Sequence, residues 1–102
     1  MKQFKKHKKS VTKTFQGEKF TFVKSKLKDK KYSVIVGDRV VHFGSRLNQQ
    51  YEDKIGMYDY LDHHDYKKRK NFQSRMSKIM IDCEPAYRKK YSPLWFSWHF
   101  LW

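Results

Sequence analysis

Apolar and polar positions alternate most cleanly between residues 32 and 43. Tyr-Ser-Val-Ile-Val (32–36) and Arg-Val-Val-His-Phe (39–43) flank Gly37-Asp38. A glycine-first pair between two such runs fits a type II′ turn joining antiparallel strands. A two-residue loop sets Val36 opposite Arg39, Ile35 opposite Val40, Val34 opposite Val41 and Tyr32 opposite Phe43. One face then carries Tyr32, Val34, Val36, Val41 and Phe43, the expected core side. The other carries Ser33, Ile35, Val40 and His42 and is mixed. The chemistry of the two faces fixes this register, because a slip of one residue would invert both. Upstream, over residues 14–24, Phe20 and Phe22 alternate with Lys19, Thr21 and Val23, which predicts β structure with a turn at Gln16-Gly17-Glu18. Residues 25–31 form a charged connector.

Further along, the period lengthens. Phe72, Met76, Ile79 and Met80 fall at i, i+4, i+7 and i+8, one stripe of an α-helix running from residue 62 to about 80. Asp62 is the expected N-cap, and Asp65 adds a carboxylate in the first turn, where unpaired N–H groups favour negative charge. Lys67, Lys68, Arg69 and Lys70 form an unbroken cationic run near the helix start. They cannot all share a face with Phe72, so most of that charge must meet solvent or a partner. Between hairpin and helix, residues 45–60 read as a polar loop. Gly56 supplies a turn there, and Tyr51, Tyr58 and Tyr60 are placed to cover the sheet edge with wet hydroxyls. After the helix, Pro85 breaks the chain behind Asp82-Cys83-Glu84. The fold class expected is α+β: a small antiparallel hairpin sheet packed on one amphipathic helix, within a domain of residues 14–102. An extended basic arm (1–13) precedes it, and an aromatic C-terminal tail ends it.

That tail, Leu94 to Trp102, carries all three tryptophans. It is too short to cross a bilayer. In water it would be an adhesive patch, since burying one large side chain is worth roughly 1.5–3 kcal/mol. Part of it is expected to fold back over sheet and helix, leaving Trp95, Trp98 and Trp102 as contact elements. At 102 residues the chain has room for one small core and needs those aromatics for it.

Charge changes the picture more than length does. The formal net charge is +14. Twelve lysines against Glu18 and Asp29 place +10 of it in the first 31 residues, leaving +4 for the rest. Such a balance implies an anionic partner: nucleic acid, an acidic protein surface or an anionic membrane surface. The arm lysines Lys2, Lys5, Lys6, Lys8, Lys9 and Lys13 are the expected main electrostatic contact. Lys67, Lys68, Arg69 and Arg75 on the helix are the second. Aromatic residues at 18% argue against a purely disordered polycation. The basic N-terminal segment lacks the apolar run of a secretory signal, and no stretch is long and apolar enough to span a membrane.

Catalytic chemistry is weakly represented. Asp59, Asp62, His63, His64 and Asp65 crowd seven positions, but neighbours at a helix start point apart, whereas metal ligands converge. Capping and packing account for them better, and neither a metal nor another cofactor is expected. Cys83 is the single cysteine, which excludes an internal disulfide and a thiolate-rich zinc site. Two flanking carboxylates also disfavour it as a nucleophile. No glycine-rich phosphate loop or nucleophile elbow is present. The expectation is a protein that is not an enzyme.

An ordered set of short motifs carries a resemblance. Lys-Lys-Tyr-Ser-Val-Ile-Val (30–36), Val-His-Phe-Gly (41–44) and Tyr51-Glu-Asp53 come first. His63-x-Asp65-x-x-Lys68-Arg69-x-x-Phe72-x-x-Arg75 and a final Leu101-Trp102 follow. Together they resemble a family of small basic proteins of large double-stranded DNA viruses and some tailed phages, over residues 30 to 102. The chain departs from that pattern at Ser45, where Asp is common, and at Met76, where His is common. The resemblance implies a viral setting and no particular reaction. The function expected on that basis is a minor structural protein of the virion, cementing larger capsid subunits through its basic arm and aromatic tail. The alternative is a nucleic-acid-binding protein that contacts phosphates non-specifically. Lysine outnumbering arginine favours backbone contact over base reading.

Overall fold

In a computed structural model of the chain, residues 10–102 are described. The architecture is α+β: a four-stranded antiparallel sheet with two helices. Strands β1 (Val11–Phe15), β2 (Glu18–Lys24), β3 (Lys30–Val36) and β4 (Arg39–Ser45) lie in the sheet in chain order. Helix α1 spans Tyr66–Met76, a two-residue hairpin pairs β5 (Met80–Ile81) with β6 (Glu84–Pro85), and helix α2 spans Pro93–Phe100.

The β3–β4 register is the one the side chains demand, with Tyr32 opposite Phe43, Val34 opposite Val41, Ile35 opposite Val40 and Val36 opposite Arg39. Gly37 turns the chain at φ +61°, the value a type II′ turn requires at its first position. Gln16 and Gly17, both at positive φ, turn β1 into β2 as a type I′ pair would. Tyr32, Val34, Val41 and Phe43 are buried on one face with Phe20 and Phe22 of β2. Thr21, Val23, Ile35 and Val40 stay exposed on the other. The N-terminal segment joins the sheet earlier than expected: Val11 to Lys13, assigned to the arm from sequence, open β1. The arm lysines Lys2, Lys5, Lys6, Lys8 and Lys9 lie outside the described residues.

The larger correction concerns which helix covers the sheet. The stripe Phe72–Met76–Ile79 does not do so: α1 buries none of its residues and stops at Met76, with Ile79 exposed beyond it. The segment read as a tail is α2, and its ring-bearing face closes the core. Phe96 stacks on Phe43 with centroids 5.4 Å apart and meets Phe20 edge-on at 5.3 Å. Phe100 lies 4.8 Å from Phe22, and Trp95 packs edge-on against Phe15 and Phe20. Edge-to-face and offset contacts of this kind add about 0.5–1.5 kcal/mol per pair beyond area burial. Local chemistry starts α2 where it does. The Ser92 hydroxyl accepts the Trp95 N–H at 3.0 Å and donates to the Ala86 carbonyl at 2.8 Å, while Pro93 sits at the first helical position, where its missing N–H costs nothing. At the other end the Phe100 and Leu101 carbonyls accept the Lys54 and Glu52 N–H groups, so the 46–64 loop caps α2.

Gly44 explains how α2 gets so close. At φ +81° it bends the end of β4, and a Cβ there would stand 2.9 Å from Leu101 Cδ1 and 3.2 Å from Lys31 Cβ. No helix among the described residues is long and apolar enough to cross a membrane.

Candidate functional site

A chain of buried polar groups holds the loop that launches α1. Asp53, 6% exposed, accepts three hydrogen bonds: the Ile55 N–H on Oδ1 at 2.9 Å, and the Tyr58 N–H at 2.8 Å and the Tyr32 hydroxyl at 2.5 Å on Oδ2. Tyr32 in turn accepts the Met57 N–H at 3.0 Å. Gln50, fully buried, donates to the Tyr58 carbonyl and to Asp62 Oδ1, and accepts from the Lys31 ammonium. Asp62 also accepts the Asp53 N–H at 2.8 Å. Every member has partners, the condition under which a polar network inside a core rigidifies instead of destabilising. Burial pushes the Lys31 amine down to about 8, against the opposing pull of the Asp53 and Asp62 charges. Burial, followed by the hydrogen bond to Asp53 and its charge, holds the Tyr32 phenol far above its ordinary range.

Asp62 is therefore not the helix cap expected from sequence. The cap is Asp65, whose Oδ1 accepts the Lys67 and Lys68 N–H groups at 2.9 and 3.2 Å. His63 packs as anticipated: its ring lies 5.3 Å from Trp102 and its Nδ1 accepts the Asp65 N–H at 2.9 Å. Desolvation, reinforced by the Lys68 charge, lowers its basicity.

The helix so launched leans on the end of the chain by a few contacts. Arg69 Nε donates to the Trp102 carbonyl at 2.7 Å, and its guanidinium lies 5.0 Å over the Tyr51 ring. Phe72 stacks on Trp102 at 4.1 Å with the rings 5° from parallel. Lys67, Lys68, Lys70 and Arg75 stay exposed. Among the described residues none of these four is in an ion pair; the lysine–carboxylate pairs there are those of Lys89 and Lys90. Lys13 is exposed too, on strand β1.

The contact residues expected from sequence therefore separate. Lys67, Lys68 and Arg75 are exposed, with Arg69 turned partly inward. Trp95, at 5% exposure, belongs to the core and is withdrawn from any surface, because α2 uses it against Phe15 and Phe20. Trp98 is half-buried and stacked on Tyr87 at 4.1 Å, and Trp102 is half-buried under Phe72. The network of Lys31, Tyr32, Gln50, Asp53 and Asp62 went unread in the sequence. One local signal for it exists: an Asp whose carboxylate accepts an N–H two residues on, just before a glycine turn, is the mark of an Asx-turn.

Between α1, the end of β4 and α2 lies a cleft of about 320 Å³. Phe72, Met76, Leu94 and Trp102 make its apolar wall, and Lys30, Lys31 and Arg75 are among its cationic lining. Among the described residues, no three His, Cys, Asp or Glu side chains gather as metal ligands.

No family model, curated protein or solved structure matches the chain.

Proposed function

We propose that the protein is a non-enzymatic nucleic-acid-binding protein that lies along the phosphate backbone without reading sequence. The observation that carries this reading is the outward face of α1. Lys67, Lys68 and Lys70 are exposed on one capped helix with no carboxylate pairing them among the described residues. Unpaired cations spaced along a helix neutralise phosphates and release counterions, the sequence-independent part of nucleic-acid affinity. Folding of α2 into the core works in the same direction, because it removes the free aromatic tail that cementing capsid subunits would have used.

Titration of duplex DNA at several salt concentrations tests the proposal. Binding is expected at low salt, with log K falling linearly in log salt. Replacing Lys67, Lys68 and Lys70 together by Ala should reduce the slope by about 3. Absence of binding at low salt, or an unchanged slope in the triple variant, overturns it.

A minor structural role in a virion is the second reading, and one observation favours it. Ile35 is 69% exposed and Val40 56% exposed on the sheet face that α2 leaves uncovered, a surface a larger neighbouring subunit would cover. Fixed stoichiometry with capsid protein in purified particles supports it, and absence from such particles removes it.

A further inference from the structure

The cleft between α1, β4 and α2 is built differently from the outward lysine face, and its chemistry selects a different ligand. We propose that it binds a single nucleotide, with the phosphate on Lys30 and Arg75 and the base and sugar against the apolar wall. The inference deepens the nucleic-acid reading, adding a pocket for one nucleotide to a surface for a strand.

Three features carry it. Charge is the first: Lys30, Lys31 and Arg75 line the cleft, and no Asp or Glu does. A pocket of one sign with a low-dielectric wall concentrates that potential on whatever enters it, which selects an anion. Shape is the second. About 320 Å³ sits at the lower end of the range for small-molecule sites, the size class of a mononucleotide and too small for a duplex or a folded peptide. Phe72, Met76, Leu94 and Trp102 give the ligand an apolar side, and Asn48, Gln49 and Ser97 offer amide and hydroxyl groups for base edges or ribose. An inorganic anion would leave that apolar wall unused.

Rigidity is the third. Lys31, 1% exposed, is pinned by hydrogen bonds from Nζ to the Asn48 carbonyl at 2.7 Å and Gln50 Oε1 at 2.5 Å. Phe72 is held by its stack on Trp102, and the Arg75 guanidinium lies 6.0 Å from the Phe72 ring, so packed rings back the wall beside Arg75. A site preformed in this way loses less ordering entropy on binding.

The test is a titration of deoxyadenosine 5′-monophosphate followed by NMR. The indole N–H of Trp102 and the backbone amides of Gly44 and Ser97 serve as reporters in the cleft wall. Saturable shifts confined to these signals are expected, with deoxyadenosine and inorganic phosphate each binding at least tenfold more weakly. Arg75→Ala and Lys30→Ala should each weaken the nucleotide about tenfold while leaving the unfolding midpoint in place, since both side chains lie toward the protein surface. Lys67→Ala, outside the cleft, should leave nucleotide affinity unchanged yet lower the salt slope for duplex DNA. Shifts spread over all lysine-bearing surfaces and equal for inorganic phosphate would overturn the pocket, as would the absence of saturation. Either result leaves the duplex titration to judge the strand-binding surface by itself.

Discussion

The two helices exchange the roles their sequences advertise. Helix α1 has eleven residues, a cap and an apolar stripe, and none of its residues is fully buried. Helix α2 has eight residues and no clean stripe, yet it supplies Trp95, Phe96 and Phe100 to the core. The difference is one of partners. The sheet offers Phe20, Phe22 and Phe43, and a ring-rich helix fills that surface better than a stripe of one phenylalanine and flexible aliphatics. Aromatic side chains bring roughly 150–250 Å² each to such a contact. With α2 in place, α1 rests on its C-terminal end through Phe72 and Arg69 and leaves its lysines outside. Periodicity thus marks a helix without saying whether its stripe meets the core.

Truncating each helix at its best apolar residue breaks the comparison most sharply. Phe96, 0% exposed and central to the rings, should cost about 3–5 kcal/mol as Phe96→Ala in denaturant unfolding. Phe72→Ala, in α1 and from the same stripe that read as core, should cost about 1–2 kcal/mol, because Phe72 is only half-buried and its main packing is the stack on Trp102. Similar losses for the two would restore α1 to the core.

A pH series sharpens the role of the network that ties α1 to the sheet. With the Lys31 amine lowered to about 8, the folded chain sheds a proton there that the unfolded chain still holds up to the ordinary lysine range. The unfolded state binds more protons in that window, so this group makes stability rise with pH above about 8. Above the ordinary tyrosine value of about 10 the sign reverses, because the unfolded chain loses a phenolic proton that Tyr32 retains when folded. Lys31→Met should flatten the rise, and Tyr32→Phe should remove the fall. Unfolding midpoints measured from pH 7 to 11 check both.

Removing the α1 cap has the smallest expected effect. Asp65→Ala leaves the Lys67 and Lys68 N–H groups without their acceptor and should cost about 1 kcal/mol. The loss should appear as fraying of the first turn of α1 in NMR chemical shifts, with the α2 signals unmoved.

Much of this arrangement was legible before the fold. The β3–β4 register follows from a two-residue glycine turn and two faces of unlike chemistry, because both constraints are local. The α+β class followed from the change of period. The role of α2 was obscured because Leu-Trp-Phe-Ser-Trp-His-Phe is apolar on nearly every side, so no stripe identifies its buried face. Its start signal, Ser92 followed by Pro93, was nonetheless present. Asp62 and Asp65 both suit a helix cap, and only the tertiary pull of Gln50 and the Asp53 N–H on Asp62 decides between them. The network joins residues such as Tyr32 and Asp53, 21 positions apart, and no local pattern encodes such a pairing. Of the candidate contact residues, Lys67, Lys68 and Arg75 are exposed as their charge suggests, whereas Arg69 turns inward onto Trp102 and Tyr51, and Trp95 was misread because burial depends on what else the core lacks.

Native-state hydrogen exchange across a denaturant series tests the central claim most directly, namely that α2 builds the core while α1 stands outside it. The amides of Phe96, Phe100 and Leu101 should exchange only through global unfolding, with the full denaturant dependence. Those of Lys70, Ser74 and Met76 should exchange through a local opening of lower free energy and little denaturant dependence. Equal protection and equal denaturant dependence in the two helices would contradict the account.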